Sequence, residues 1–76
     1  MDGAVLIDVR GLKCPLPVLK AAKRMQAHAV GTRFRVLATD PLASIDFPNF
    51  CREEGHLLLG SGRAGETLSF EIEKGG

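Results

Sequence analysis

The chain has 76 residues, ten Lys or Arg against nine Asp or Glu, a formal charge of +1 and a hydrophobic share of 45%. That length holds one domain, residues 1–76, whose small core leaves little room for an enclosed active-site cavity. The composition is that of a globular protein rather than a disordered one. The near-neutral charge and the lack of Tyr and Trp argue against direct nucleic-acid binding.

From Ala4 to Val9, Val5, Ile7 and Val9 share a face at period two, which predicts a strand. From Pro15 to about Ala29 the period lengthens. Val18, Ala22, Met25 and Ala29, with Leu19 beside them, form one face, and Lys20, Lys23, Arg24 and Gln26 the other. This is the pattern of an amphipathic helix, with Pro15 at its first position and Gly31 after its end. Thr32 to Thr39 alternates again, with Phe34, Val36 and Ala38 facing inward. Asp40-Pro41 reads as a helix start, and Pro48 predicts a kink or a one-turn lead-in before a helix from Pro48 to Glu54, closed by Gly55. His56 to Gly60 is a leucine-rich strand. Ser61 to Gly65 reads as a turn, and Leu68, Phe70 and Ile72 mark a last strand with one wet face.

The order predicts an α+β fold. It is a two-layer α/β sandwich, βαβαββ, with two helices packed on one face of a four-stranded mixed sheet. No stretch approaches the ~18 apolar residues of a membrane span. Met1-Asp2-Gly3-Ala4 lacks the basic and apolar regions of a secretory leader, and two cysteines are too few for a disulfide scaffold. The expected setting is cytoplasmic, with both thiols reduced and no membrane partner.

Gly11-Leu12-Lys13-Cys14-Pro15-Leu16-Pro17 is the most informative stretch. Cys14 falls at the cap of the first helix, where the helix dipole and free amides favour a thiolate. Lys13 adjoins it, and Arg10 and Lys20 are placed to support it. Cysteines in such settings have lowered pKa values. The plainer alternative is an inert buried thiol, as most lone cysteines are.

With Asp8, Gly11, Leu12, Cys14, Pro15 and Pro17 in place, the chain resembles the TusA/SirA/YedF-type family of small sulfur carriers. Asp40-Pro41, Asp46-Phe47-Pro48-x-Phe50-Cys51 and the Lys74-Gly75-Gly76 ending match it too. The resemblance implies that Cys14 accepts sulfane sulfur as a persulfide and passes it on in a relay. Such relays serve tRNA thiolation, cofactor sulfuration or sulfur oxidation. The implied partners are a cysteine desulfurase or rhodanese-type donor and a downstream acceptor protein. The covalent sulfur is the cargo and no other cofactor is implied. Leu16 departs from the Glu often found between the two prolines. A non-catalytic regulatory or interaction module on the same fold is the alternative.

Cys51 reads as a buried structural thiol, with a resolving or secondary role as the sharper option. Two Cys and two His lack zinc-ligand spacing, so no metal is expected; His28 reads as a partner of a helix C-terminus. Gly60-x-Gly62-x-x-Gly65 falls between strands and reads as a hairpin turn rather than a dinucleotide loop. Gly75-Gly76 reads as a frayed tail, the alternative being a C-terminal thiocarboxylate. Lys13, Lys20, Lys23, Arg24, Arg33 and Arg35 are candidates for a basic rim around the motif.

Overall fold

The computed structural model describes residues 3–76, so the leader reading of Met1 and Asp2 lies outside them. Six elements follow in the expected order: β1 (Val5–Asp8), α1 (Leu16–Gln26), β2 (Arg33–Ala38), α2 (Ala43–Glu54), β3 (Leu57–Ala64) and β4 (Thr67–Glu73). The sheet order is β1-β2-β4-β3, with β1 parallel to β2 and β4 antiparallel to both of its neighbours. The first three strands therefore run the same way. Both helices are crossovers that start at the carboxyl ends of β1 and β2.

Period two places Ile7, Val9, Phe34, Val36, Phe70 and Ile72 on the covered face of the sheet. Against them α1 buries Pro17, Ala21 and Met25, while α2 buries Ala43, Phe47, Phe50 and Cys51. Phe47 stacks on Phe70 with ring centroids 4.9 Å apart and meets Phe50 edge-on at 6.4 Å. The opposite face is open. There Arg33 pairs with Glu73 at 3.3 Å, and Arg35 with Glu71 at 3.7 Å.

Several boundaries differ from expectation. Helix α1 ends at Gln26, and the covered stripe is Pro17-Ala21-Met25, flanked by half-buried Val18 and Ala22. Leu19 is 58% exposed, and Ala29 lies outside the helix and is exposed. Pro15 is the cap residue, not the first helical one; Pro17 takes the second position.

Helix α2 runs unbroken from Ala43 through Pro48. A lead-in turn exists, but it lies earlier, where the Ala43 N–H donates to the Asp40 carbonyl at 2.9 Å. An interior proline costs ~3 kcal/mol. The buried stripe Ala43-Phe47-Phe50-Cys51 spans the proline on both sides, and its burial outweighs that penalty. Gly55 closes the helix in the left-handed region, φ 77°, as predicted.

Strand β3 extends to Ala64, so Gly60 and Gly62 lie in the strand, and the register shifts between Leu58 and Gly60. The turn is only Gly65-Glu66, with Gly65 at φ 61°, the positive value that primed hairpin turns demand.

Candidate functional site

Both helices begin at the carboxyl ends of adjacent parallel strands, so the β1–α1 and β2–α2 connections lie side by side. Two hydrogen bonds join them, and a third fixes Asp40 within its own connection. The Gly11 N–H donates to Thr39 Oγ1 at 2.9 Å, the Cys14 N–H donates to Asp40 Oδ2 at 2.7 Å, and Asp40 Oδ1 accepts the Leu42 N–H at 3.0 Å. Gly11 sits at φ 82°, which lets the chain turn back beneath Thr39.

Lys13 to Leu16 form a turn with a cis peptide between Cys14 and Pro15. The Leu16 N–H closes it on the Lys13 carbonyl at 2.8 Å. The turn lifts Cys14 to the surface, where its thiol is free and exposed.

The electrostatics of this thiol reverse the sequence expectation. Its pKa is raised rather than lowered. The Asp46 carboxylate, an acceptor for the thiol hydrogen, is the largest cause. Lost hydration and the charges of Asp46 and Asp40 act in the same direction. The features expected to favour a thiolate are engaged elsewhere. The Leu16 amide is held by Lys13, and Cys14 lies ahead of the cap rather than on it. Arg10 is clamped by Asp8 through Nε at 2.9 Å and Nη2 at 2.8 Å. That bidentate pair, with the Arg10 amide, holds the Asp8 carboxyl down at about 2. Lys13 acts on Asp40, whose pKa is lowered mainly by the amides of Cys14 and Leu42.

Of the candidates for a basic rim, Lys13 lines the hollow beside Cys14, whereas Arg33 and Arg35 do not join it. Arg33 and Arg35 lie on the open sheet face in cross-strand pairs with glutamates. Asp8, Arg10 and Gly11 shape the loop before the thiol; Pro15 and Pro17 shape the turn after it. Asp40 and Asp46 are the residues whose roles the sequence reading missed. The available signal was Asp40 at the carboxyl end of a strand parallel and next to β1.

Cys51 is buried in the core, and burial raises its thiol pKa. It lines neither hollow beside Cys14. His28 is half-buried, its ring edge-on to Phe34 at 5.3 Å. Lys74 and Gly75 are docked, where the sequence predicts a frayed Gly75-Gly76 tail. Lys74 pairs through its backbone with Gly31 and Thr32, and the Gly75 N–H donates to His56 Nδ1 at 3.0 Å. Two conditions allow this: β4 carries the chain alongside residues 31–32, and Gly75 lies directly on the Gly55 backbone, where a side chain would not fit.

A groove of about 700 Å³ runs between α1 and α2, with Cys14 and Asp46 near one end and His56 and Gly75 near the other. A second hollow of about 600 Å³ lies on the other side of Cys14, between Gly11–Lys13 and Thr39–Leu42. The thiol therefore stands between two open depressions.

Comparisons with known proteins agree on kinship. A SirA-like protein from Desulfitobacterium hafniense has the same fold, with TM-score 0.80 at 20% identity over 95% of this chain and 99% of that one. The sulfur carrier protein TusA of Allochromatium vinosum is 40% identical over 68 residues, 90% of this chain and 90% of its own. A protein of Neisseria meningitidis serogroup B is 53% identical over 53 residues, 70% of this chain and 72% of its own. The family model described as Sulfurtransferase TusA matches residues 5–74, and the chain belongs to that family.

Proposed function

We propose that the chain is a sulfur carrier that accepts sulfane sulfur on Cys14 as a persulfide and delivers it to an acceptor protein. The observation that carries this reading is the exposed free thiol of Cys14, raised on a proline-framed turn between two open hollows. In the loading step the Cys14 thiolate attacks the terminal sulfur of a donor persulfide. A new S–S bond forms at Cys14, and the donor's own sulfur leaves as a thiolate. In delivery an acceptor nucleophile attacks that terminal sulfur and the Cys14 thiolate leaves. No external oxidant or reductant enters, and the carrier returns to its starting state.

The raised thiol pKa fits a carrier that is quiet at rest. Little thiolate is present without a partner, while the thiolate that forms is intrinsically more nucleophilic. A cysteine desulfurase or rhodanese-type donor is the proposed source, and a reducing, cytoplasmic setting suits the free thiol. The pathway served is tRNA thiolation, cofactor sulfuration or sulfur oxidation. Incubation with a desulfurase and cysteine, followed by intact-mass measurement, is expected to add one sulfur atom to the wild type and none to Cys14→Ser. Uptake by Cys14→Ser would sink the assignment. Full biological function in a folded Cys14→Ser protein would favour a non-catalytic interaction module instead.

A further inference from the structure

The interhelical groove has features that sulfur chemistry alone does not require. Its floor is apolar, built from Val18, Leu19 and Ala22 of α1 and Phe50 of α2. Leu19 is 58% exposed there, a large apolar side chain held at the surface over an open hollow. The α2 side is acidic, with Asp46, Glu53 and Glu54 along it. The cation that lines the groove, Lys74, donates its Nζ to the His28 carbonyl at 2.6 Å and is tethered at the far end. Lys20, Lys23 and Arg24 of α1 do not line it. A chain of formal charge +1 thus concentrates negative charge along one apolar track.

We propose that this groove is the docking track for a segment of the sulfur-exchanging partner protein that carries apolar side chains together with Lys or Arg. The proposal rests on the carrier reading and names the chemistry of its partner. Apolar side chains cover Leu19 and Phe50, and cations pair with Glu53, Glu54 and Asp46 as the groove loses water. An anionic or wholly apolar occupant would leave those carboxylates desolvated and unpaired, a strongly unfavourable outcome. Helix α1 spans roughly 16 Å, so a segment seated along it reaches the reactive end of the groove in a defined register. Beside Cys14 its cation meets Asp46, the group that holds the thiol protonated. Docking and activation of the thiol are then one event. Leu16, 52% exposed inside the motif, and Ile45, 58% exposed next to Asp46 in sequence, are further apolar side chains at the surface.

The test is a nuclear magnetic resonance titration of the whole chain with two short synthetic peptides, one alternating Leu with Arg and one alternating Leu with Glu. The Leu–Arg peptide is expected to shift the amide signals of Leu19, Ala22, Phe50 and Glu53. Its affinity should fall about tenfold between about 50 and 300 mM salt. The Leu–Glu peptide should bind at least about tenfold more weakly. A double variant, Glu53→Lys with Glu54→Lys, changes two exposed side chains and should reverse the preference. Equal affinity for the two peptides, or shifts confined to the Arg33–Glu73 face of the sheet, would overturn the proposal. Peptide binding is read with no sulfur donor present, and sulfur uptake is read by intact mass with no peptide present. Failure of the groove therefore reads separately from failure of Cys14 to take up sulfur.

Discussion

Cys14 combines exposure with a thiol held in its protonated form. Its own amide is fixed by Asp40, and its sulfur faces Asp46, so one short stretch of α2 and its lead-in controls both ends of the residue. The sign of the consequence is definite. Because the folded thiol pKa is raised, the thiolate becomes the major form at a higher pH than for an ordinary cysteine, and removal of the acid lowers that midpoint. Asp46→Asn should therefore shift the pH midpoint of iodoacetamide alkylation downward and speed the reaction at pH 8 by several-fold. A midpoint unchanged or moved upward would show that Asp46 does not govern the thiol. Asp8 illustrates the opposite case. Its carboxylate, held low by Arg10, keeps that cation engaged and away from the sulfur.

At the scale of elements, the two crossover helices do more than cover the sheet. Starting from adjacent parallel strands, they bring the Cys14 turn against the Asp40 lead-in, and a groove lies between them. The far end of that groove is closed by the tail. Gly75 lies on the Gly55 backbone and donates to His56, whose ring packs against Phe50 at 5.1 Å. Gly75→Ala places a methyl group into the Gly55 carbonyl. The expected result is release of the tail, seen as faster amide exchange at Gly31 and Gly75 with the core amides of β2 unchanged. Protection retained at both positions would mean that the α2–β3 corner yields instead.

For the whole molecule, size sets the tolerance. A domain of 76 residues has a total stability of about 4–11 kcal/mol on the usual per-residue scale. Phe47 is fully buried, stacked on Phe70 and edge-on to Phe50, and so joins α2 to the sheet. Phe47→Ala should cost about 3–5 kcal/mol, a large share of that total. Urea denaturation checks this. A loss under about 1 kcal/mol would show that the core does not depend on this ring. The rest of the molecule presents one exposed free thiol among the described residues, that of Cys14, beside two open hollows.

How much of this was legible in the sequence depended on the range of the interaction. Local periodicity identified β1, α1, β2 and β4, because side-chain spacing of two or 3.6 is a property of the backbone alone, while α2 was read from its Asp40-Pro41 start and Gly55 stop and β3 from its leucine run. The motif around Cys14 singled out the thiol, and the resemblance it carries implied the family to which the chain belongs. The course of α2 through Pro48 was not legible, because burial of Phe47 and Phe50 against the sheet decides it. Nor was the length of β3, which depends on pairing with β4. Least legible was the state of the thiol. Neighbours in sequence, Lys13 and Arg10, suggested a thiolate. Asp40 and Asp46, 26 and 32 positions away, decide otherwise. The sequence by itself singled out Cys14 and determined the order of the elements that present it. Only the tertiary structure determined the charge around that atom and the groove beside it, because both arise where distant segments meet.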